Sequence, residues 1–155
     1  MAFRISGLSP EPFRHLFGLD AAALRAHRAI RIVVDAPHGF PERIELRDAA
    51  PGETVLLVNH THQPADTPYR ASHAVFVREG AQRACVLHDR VPEVLRRRMI
   101  ALRGFDARHM LVDANLAAGE AIVPLIERLF EDPRIAYLQA HYAKFGCYAA
   151  RVDRG

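Results

Sequence analysis

Two apolar runs, Thr54-Val55-Leu56-Leu57-Val58 and Ala74-Val75-Phe76-Val77, constrain what this chain can fold into more than any other feature. Each is continuous rather than alternating, is rich in β-branched and aromatic residues, and is too short for a helix. That is the pattern of strands covered on both faces. Between them lies a polar stretch, Asn59-His60-Thr61-His62-Gln63-Pro64-Ala65-Asp66-Thr67-Pro68-Tyr69-Arg70, read as a loop that joins two buried strands.

The rest of the chain supplies the covering elements. Phe3 to Ile5 reads as a short strand, Pro10 to Phe17 as one or two helical turns ended by Gly18, and Asp20 as the cap of a helix over Ala21 to His27. Ala29 to Val34 and Arg43 to Leu46 alternate as strands do, and Arg83 to His88 is a weaker strand. Val91, Val94, Leu95, Met99 and Leu102 share one face of a helix that begins at Pro92 and is ended by Gly104. Met110 to Val112 is a short strand, and Ile122, Leu125, Ile126, Leu129 and Phe130 recur at helical spacing until Asp132-Pro133. Arg134 to Ala140 and Cys147 to Val152 close the chain as a hairpin. Six to eight strands with two to four helices, not in regular alternation, predict an α+β fold over residues 1–155 as a single domain, with a mainly antiparallel mixed sheet.

At 155 residues one core suffices, and no segment approaches the ~20 apolar residues of a membrane span. The amino terminus has no apolar run of signal-peptide length, so a cytoplasmic location is expected, with no membrane partner. Cys85 and Cys147 are taken as reduced thiols. The formal net charge of +3 does not imply nucleic acid. Lys144 is the only lysine, and the arginines are spread among nearly as many acids, so no nucleic-acid partner is expected.

The chemistry lies in two polar clusters. If the backbone stays extended through Asn59 to His62, His60 and His62 point to the same side. A metal would need further ligands, for which Asp66, His73, His141 and Cys147 have the right chemistry, but the glycine-spaced flanks of the cupin histidine pattern are missing. The competing reading is that both imidazoles hydrogen-bond the loop and shape it. Asn59, Tyr69 and Arg70 add ligand-binding groups, Arg70 either as a fork for a carboxylate or phosphate or as a partner of Glu79 or Asp66. In the second cluster, Tyr137, Gln139 and His141 share a face that grows more polar toward the strand end, with Lys144 and Cys147 just beyond. There Lys144 would hold negative charge and Cys147 would be either a nucleophile or a small buried hydrophobe.

Nearly the whole chain resembles the bacterial family called domain of unknown function 1203. The carrying segments are Gly39-Phe40-Pro41 with Arg43, Pro51 through Pro64, Pro68 through Ser72, Phe76-Val77-Arg78-Glu79, and His141 through Arg151. The resemblance implies a small bacterial protein and no particular activity. Family members carry a histidine where this chain has Gln139 and a glycine-proline pair where it has His73-Ala74.

Two readings follow. In the first, His60, His62, His141 and Cys147 are catalytic candidates and Asn59, Tyr69, Arg70 and Lys144 bind a small anionic molecule, in a pocket shared by the two loops. In the second, the protein is a non-catalytic ligand-binding or protein-interaction domain whose histidines shape the loop. No metal residues are assigned and no cofactor is implied; a histidine-based metal site is secondary within either reading. The oligomeric state is not legible.

Overall fold

The computed structural model describes residues 2–155. It is an α+β structure built on two sheets. The first contains β1 (Phe3–Ser6), β7 (Val86–His88), β8 (Ile100–Phe105), β9 (Leu111–Ala117), β10 (Tyr137–Tyr142) and β11 (Tyr148–Arg154), in the order β7-β1-β11-β10-β8-β9. All its pairings are antiparallel. The second contains β2 (Ile30–Val33), β3 (Pro41–Glu42), β4 (Arg47–Asp48), β5 (Thr54–Gln63) and β6 (Ala71–Arg78), in the order β2-β5-β6-β3-β4. It is antiparallel except for one parallel pair, Glu42 opposite Phe76. The strands outnumber the six to eight expected because pairs as short as β3 and β4 carry no periodicity to read.

Three α-helices complete the described residues: α1 (Ala21–Ala26), α2 (Glu93–Arg96) and α3 (Ile122–Phe130), with 3-10 turns at Glu11–Leu16 and Gly119–Ala121. Asp20 caps α1 by accepting from the Ala23 amide at 2.8 Å. The helical spacing read over 122–130 is realised, and Ile122, Leu125, Ile126, Leu129 and Phe130 are all buried. They form one core with Val94 and Leu95 of α2 and with Ile100, Leu102, Leu138, Ala140 and Val152 of the six-stranded sheet. A second core holds Leu56, Val58, Val75 and Val77 with Phe13, Leu16, Leu24, Ile44 and Tyr148. Each large apolar side chain in these cores contributes about 1.5–3 kcal/mol by its burial.

Three expectations are corrected. The polar stretch after Val58 is not all loop: β5 continues to Gln63, with His60 opposite His73 and Thr61 opposite Ser72. Pairing with β6 extends the strand through residues that local polarity assigns to a turn. Only residues 64–70 form the connection.

Arg43 to Leu46 is not a strand. The buried Glu42 carboxylate accepts from the Ile44 amide at 2.9 Å, from the Glu45 amide, and from the Arg78 amide at 3.1 Å. The chain therefore coils around a carboxylate and passes through a left-handed residue at Leu46 (φ 53°). Burial raises the Glu42 pKa, and the three amide donors oppose that shift.

The helix expected from Pro92 to Arg103 stops at Arg96, and residues 100–105 form β8 instead. Ile100 and Leu102 are buried at a spacing of two, a pattern hidden within the helical one, and pairing on both sides by β9 and β10 decides the outcome. Gly104 is no helix stop. A Cβ there would lie 2.6 Å from the Ile135 Cδ1 and 3.3 Å from the Asp113 carbonyl oxygen, so its role is close approach.

Candidate functional site

The extension of β5 carries its polar end over the six-stranded sheet, and there the two polar clusters meet. The rings of His62 and His141 are 4.9 Å apart, edge to face. Gln139 fastens them: its Nε2 donates to the His62 carbonyl at 2.9 Å, and its Oε1 lies 3.0 Å from His62 Nδ1 and 3.1 Å from His141 Nε2. The His62 ring also stacks on Tyr148, at 5.5 Å and 10°. Next to it, Gln63 Nε2 donates to the Tyr137 hydroxyl at 2.9 Å, and His109 Nδ1 meets the same oxygen at 2.7 Å.

His60, His62 and His141 are neutral near pH 7. Burial pushes His141 down to about 3, and the nearby Arg103 charge adds to the effect. Burial, with a smaller contribution from His62, lowers His60 to about 4. His62 is lowered as well, again mainly by burial. His141 Nδ1 lies 3.2 Å from the Gly146 carbonyl, so this ring faces two oxygen acceptors with the single N–H of a neutral imidazole. Both of its nitrogens therefore lie against oxygens of the protein, one of them through its lone pair. The His60 side chain has no hydrogen-bond partner among the described residues; its ring lies 5.9 Å from both Phe13 and Tyr148. Among the described residues no three His, Cys, Asp or Glu side chains converge as a metal ion requires.

The open space lies on the other side of the β10–β11 turn. A cleft of about 780 Å³ runs between that turn, the free edge of β6 and the segment before β3. Leu57, Ala74, Phe76, Met99 and Phe145 give it apolar walls, and Arg43, Arg98 and Lys144 supply positive charge. Among the described residues no Asp or Glu lines it.

At its base, Arg43 is only 2% exposed, yet no carboxylate accepts a hydrogen bond from it. Its Nε donates to the Tyr148 carbonyl at 2.7 Å, its Nη1 to the Pro41 carbonyl, and its Nη2 to Cys147 Sγ at 3.0 Å. The guanidinium also lies 4.8 Å from the centroid of the Tyr142 ring. Desolvation lowers the Arg43 pKa, but a guanidinium keeps its proton in a protein. Arg98, in contrast, is held in a fork by Asp48 at 2.7 and 3.2 Å.

Of the residues read from sequence, His60, His62 and His141 gather in the layer between the sheets, while Cys147 and Lys144 reach the cleft. Asn59 is exposed on β5. Tyr69 is 38% exposed and meets Phe105 edge-on at 6.2 Å. Arg70 is exposed and donates to the Pro64 carbonyl, which shapes residues 64–70. Arg31, not Arg70, pairs with Glu79, at 2.6 Å.

The site residues not singled out from sequence are Arg43, Arg98, His38 and Phe145. In the sequence Arg43 stands only at the start of an expected strand and within a family segment, and Arg98 falls in the part of the expected Pro92 helix that does not form. Residues 39–154 match the family described as protein of unknown function (DUF1203). No curated protein and no solved structure matches the chain.

Proposed function

Because the chain belongs to the domain of unknown function 1203 family, whose description names no activity, we propose a function from the geometry: it binds a small molecule with an anionic group and an apolar body in the cleft beside β6. The carrying observation is Arg43, a buried cation from which no carboxylate among the described residues accepts a hydrogen bond, in a cleft lined by no described Asp or Glu. The neighbouring Glu42 offsets part of its charge through space, a bound anion would add a directly bonded countercharge, and a low-dielectric wall strengthens that attraction. Lys144, an exposed residue of the lining with its Nζ 5.7 Å from the centroid of the Phe145 ring, adds a second positive charge at the rim. The cleft volume lies within the ~300–1,000 Å³ usual for small-molecule sites. In this reading His60, His62 and His141 fasten the sheets, and Asn59, Tyr69 and Arg70 lie outside the binding surface.

The test is thermal unfolding with hexanoate, phenylacetate and phenyl phosphate, followed by calorimetry on any compound that raises the melting temperature. Saturable binding that Lys144→Gln weakens at least fivefold supports the reading. Absence of any shift up to 10 mM for all three compounds refutes it.

A second reading is favoured by one contact, the hydrogen bond from Arg43 Nη2 to Cys147 Sγ. The guanidinium holds the sulfur at the cleft wall. There Cys147 would add to the β-carbon of a conjugated carbonyl in the bound molecule, the carbon–carbon double bond opening and the α-carbon taking up the thiol proton. Iodoacetamide labelling resolved by peptide mass spectrometry checks it: faster modification of Cys147 than of the more exposed Cys85 supports a reactive thiol, and the reverse order dismisses it.

A further inference from the structure

The open edge of β6 says more about the ligand. β5 covers one edge of this strand from Ala71 to Arg78, but β3 meets the other at a single pair, Glu42 opposite Phe76. Along a strand the hydrogen-bonding groups of successive residues point to alternate edges. The Phe76 carbonyl accepts from the Arg43 amide at 2.9 Å across this outer edge, and the Arg78 amide donates outward to Glu42 Oε2 at 3.1 Å. Even-numbered residues of β6 therefore present their backbone groups outward. Ala74 and Ser72 are next in that row, both are exposed, and neither N–H has a protein acceptor among the described residues. The Ala74 carbonyl lies 3.0 Å from His73 Nδ1, in an exposed contact that an added strand would displace.

β3 cannot extend to cover them. Pro41 has no N–H to add to a ladder, and before it the chain turns away through His38 and Gly39. The gap left by that departure is the cleft itself, since His38, Gly39, Pro41, His73 and Ala74 all line it. The unpaired N–H groups of Ser72 and Ala74 thus lie beside the positive charge of the cleft.

An extended peptide matches both features. Its backbone offers donors and acceptors at the spacing of a strand, and its free end carries a carboxylate. We propose that the cleft takes the carboxyl-terminal residues of an extended peptide, added to β6 as a strand along Ser72 and Ala74, with the terminal carboxylate held by Arg43 and Lys144. This rests on the cleft being an anion site, as proposed above. Apolar side chains of the peptide would lie against Leu57, Phe76 and Met99. Charge favours this occupant over a second copy of the chain: symmetric edge-to-edge pairing would set two basic rims, with Lys144 on each, against one another.

The test is fluorescence polarisation with a pool of random tetrapeptides labelled with fluorescein at the amino terminus. Three forms are compared: free carboxyl terminus, carboxyl-terminal amide, and free carboxylate with every internal backbone nitrogen methylated. Binding of the first pool, with at least a tenfold loss for each of the others and for the Ala74→Pro variant, is the expected result. Ala74 stands opposite Asn59 in a pair that points its N–H away from β5, so the substitution removes no bond between β5 and β6. If that variant does not fold, the methylated pool decides alone.

Equal binding of the methylated and unmethylated pools would overturn strand addition, and equal binding of acid and amide would overturn the carboxylate anchor. If hexanoate or phenylacetate binds and no peptide pool does, the anion reading stands and the peptide inference falls. If nothing binds, both fall. A dimer by sedimentation that Ala74→Pro abolishes would assign the edge to a second copy and overturn the peptide inference.

Discussion

Replacing Gln139 by Leu is expected to loosen the two sheets more than any surface change of similar size. Gln139 is 4% exposed, and its amide takes part in three hydrogen bonds at 2.9–3.1 Å, two with His62 on β5 and one with His141 on β10. Each bond of this kind contributes ~0.5–1.5 kcal/mol net, and removing one side leaves the His62 carbonyl and two imidazole nitrogens in poorly solvated positions. Leucine has nearly the same volume, so no large cavity term is added. The expected loss is ~2–4 kcal/mol, which for a chain of this length corresponds to a melting temperature lower by ~5–15 °C.

The assay is equilibrium unfolding in urea at pH 7.5, with the slope of the transition compared between variants so that a change of midpoint can be read as a change of stability. A double-mutant cycle with His62→Leu should give a coupling of ~1–2 kcal/mol, because the two residues share bonds across the sheets. A loss below ~1 kcal/mol at unchanged slope, or strict additivity of the two substitutions, would show that the amide is not a fastener and that burial alone holds β5 against β10.

Other expectations follow from the same contacts. His141 is neutral in the folded protein and held down to about 3 by burial, so its contribution is intact above pH ~6.5, where the unfolded imidazole is also neutral, and is lost as pH falls from there toward 3. Stability should drop by ~2 kcal/mol between pH 6.5 and 5 from this residue; an acid titration that His141→Asn does not flatten would contradict it. Arg43→Met should cost ~3–5 kcal/mol, read by the same urea assay, because it frees two carbonyls and the Cys147 sulfur in buried positions. Gly104→Ala should cost ~1–3 kcal/mol, since the new methyl meets Ile135 at 2.6 Å, and Ile135→Val in the same chain should recover part of it.

What could be read from sequence divides along a physical line. Elements whose pattern is local and long were legible: α3 by its helical spacing, α1 by the Asp20 cap, and β5 and β6 by their apolar runs. Elements decided by a distant partner were not. Residues 100–105 carry both a helical and a strand pattern, and only flanking strands chose between them. Arg43 to Leu46 alternates like a strand, but the Glu42 carboxylate competes for its amides, and side-chain capture of a backbone leaves no periodic signal.

The same line runs through the site. The shared face of His60 and His62 follows from strand geometry and is present, both rings lying against Tyr148. Their meeting with His141 needed the two sheets, and the burial of Arg43 needed the cleft. A buried arginine without a hydrogen-bonded carboxylate looks in sequence like any of the arginines on the surface.

Both polar regions depend on one turn. β10 ends in Tyr142 and β11 begins at Tyr148, and the turn between them closes through the Gly146 amide, which donates to the Tyr142 carbonyl at 2.8 Å with Gly146 in the left-handed region (φ 78°). The Gly146 carbonyl then faces His141 Nδ1, while Cys147 receives the Arg43 guanidinium from the other side. Gln139 fixes His141, His141 meets the turn, and the turn sets Lys144 and Cys147 at the cleft. In the proposed function the imidazole layer therefore supports the cleft through this turn. Substitutions in that layer should reach ligand affinity only through the position of this turn.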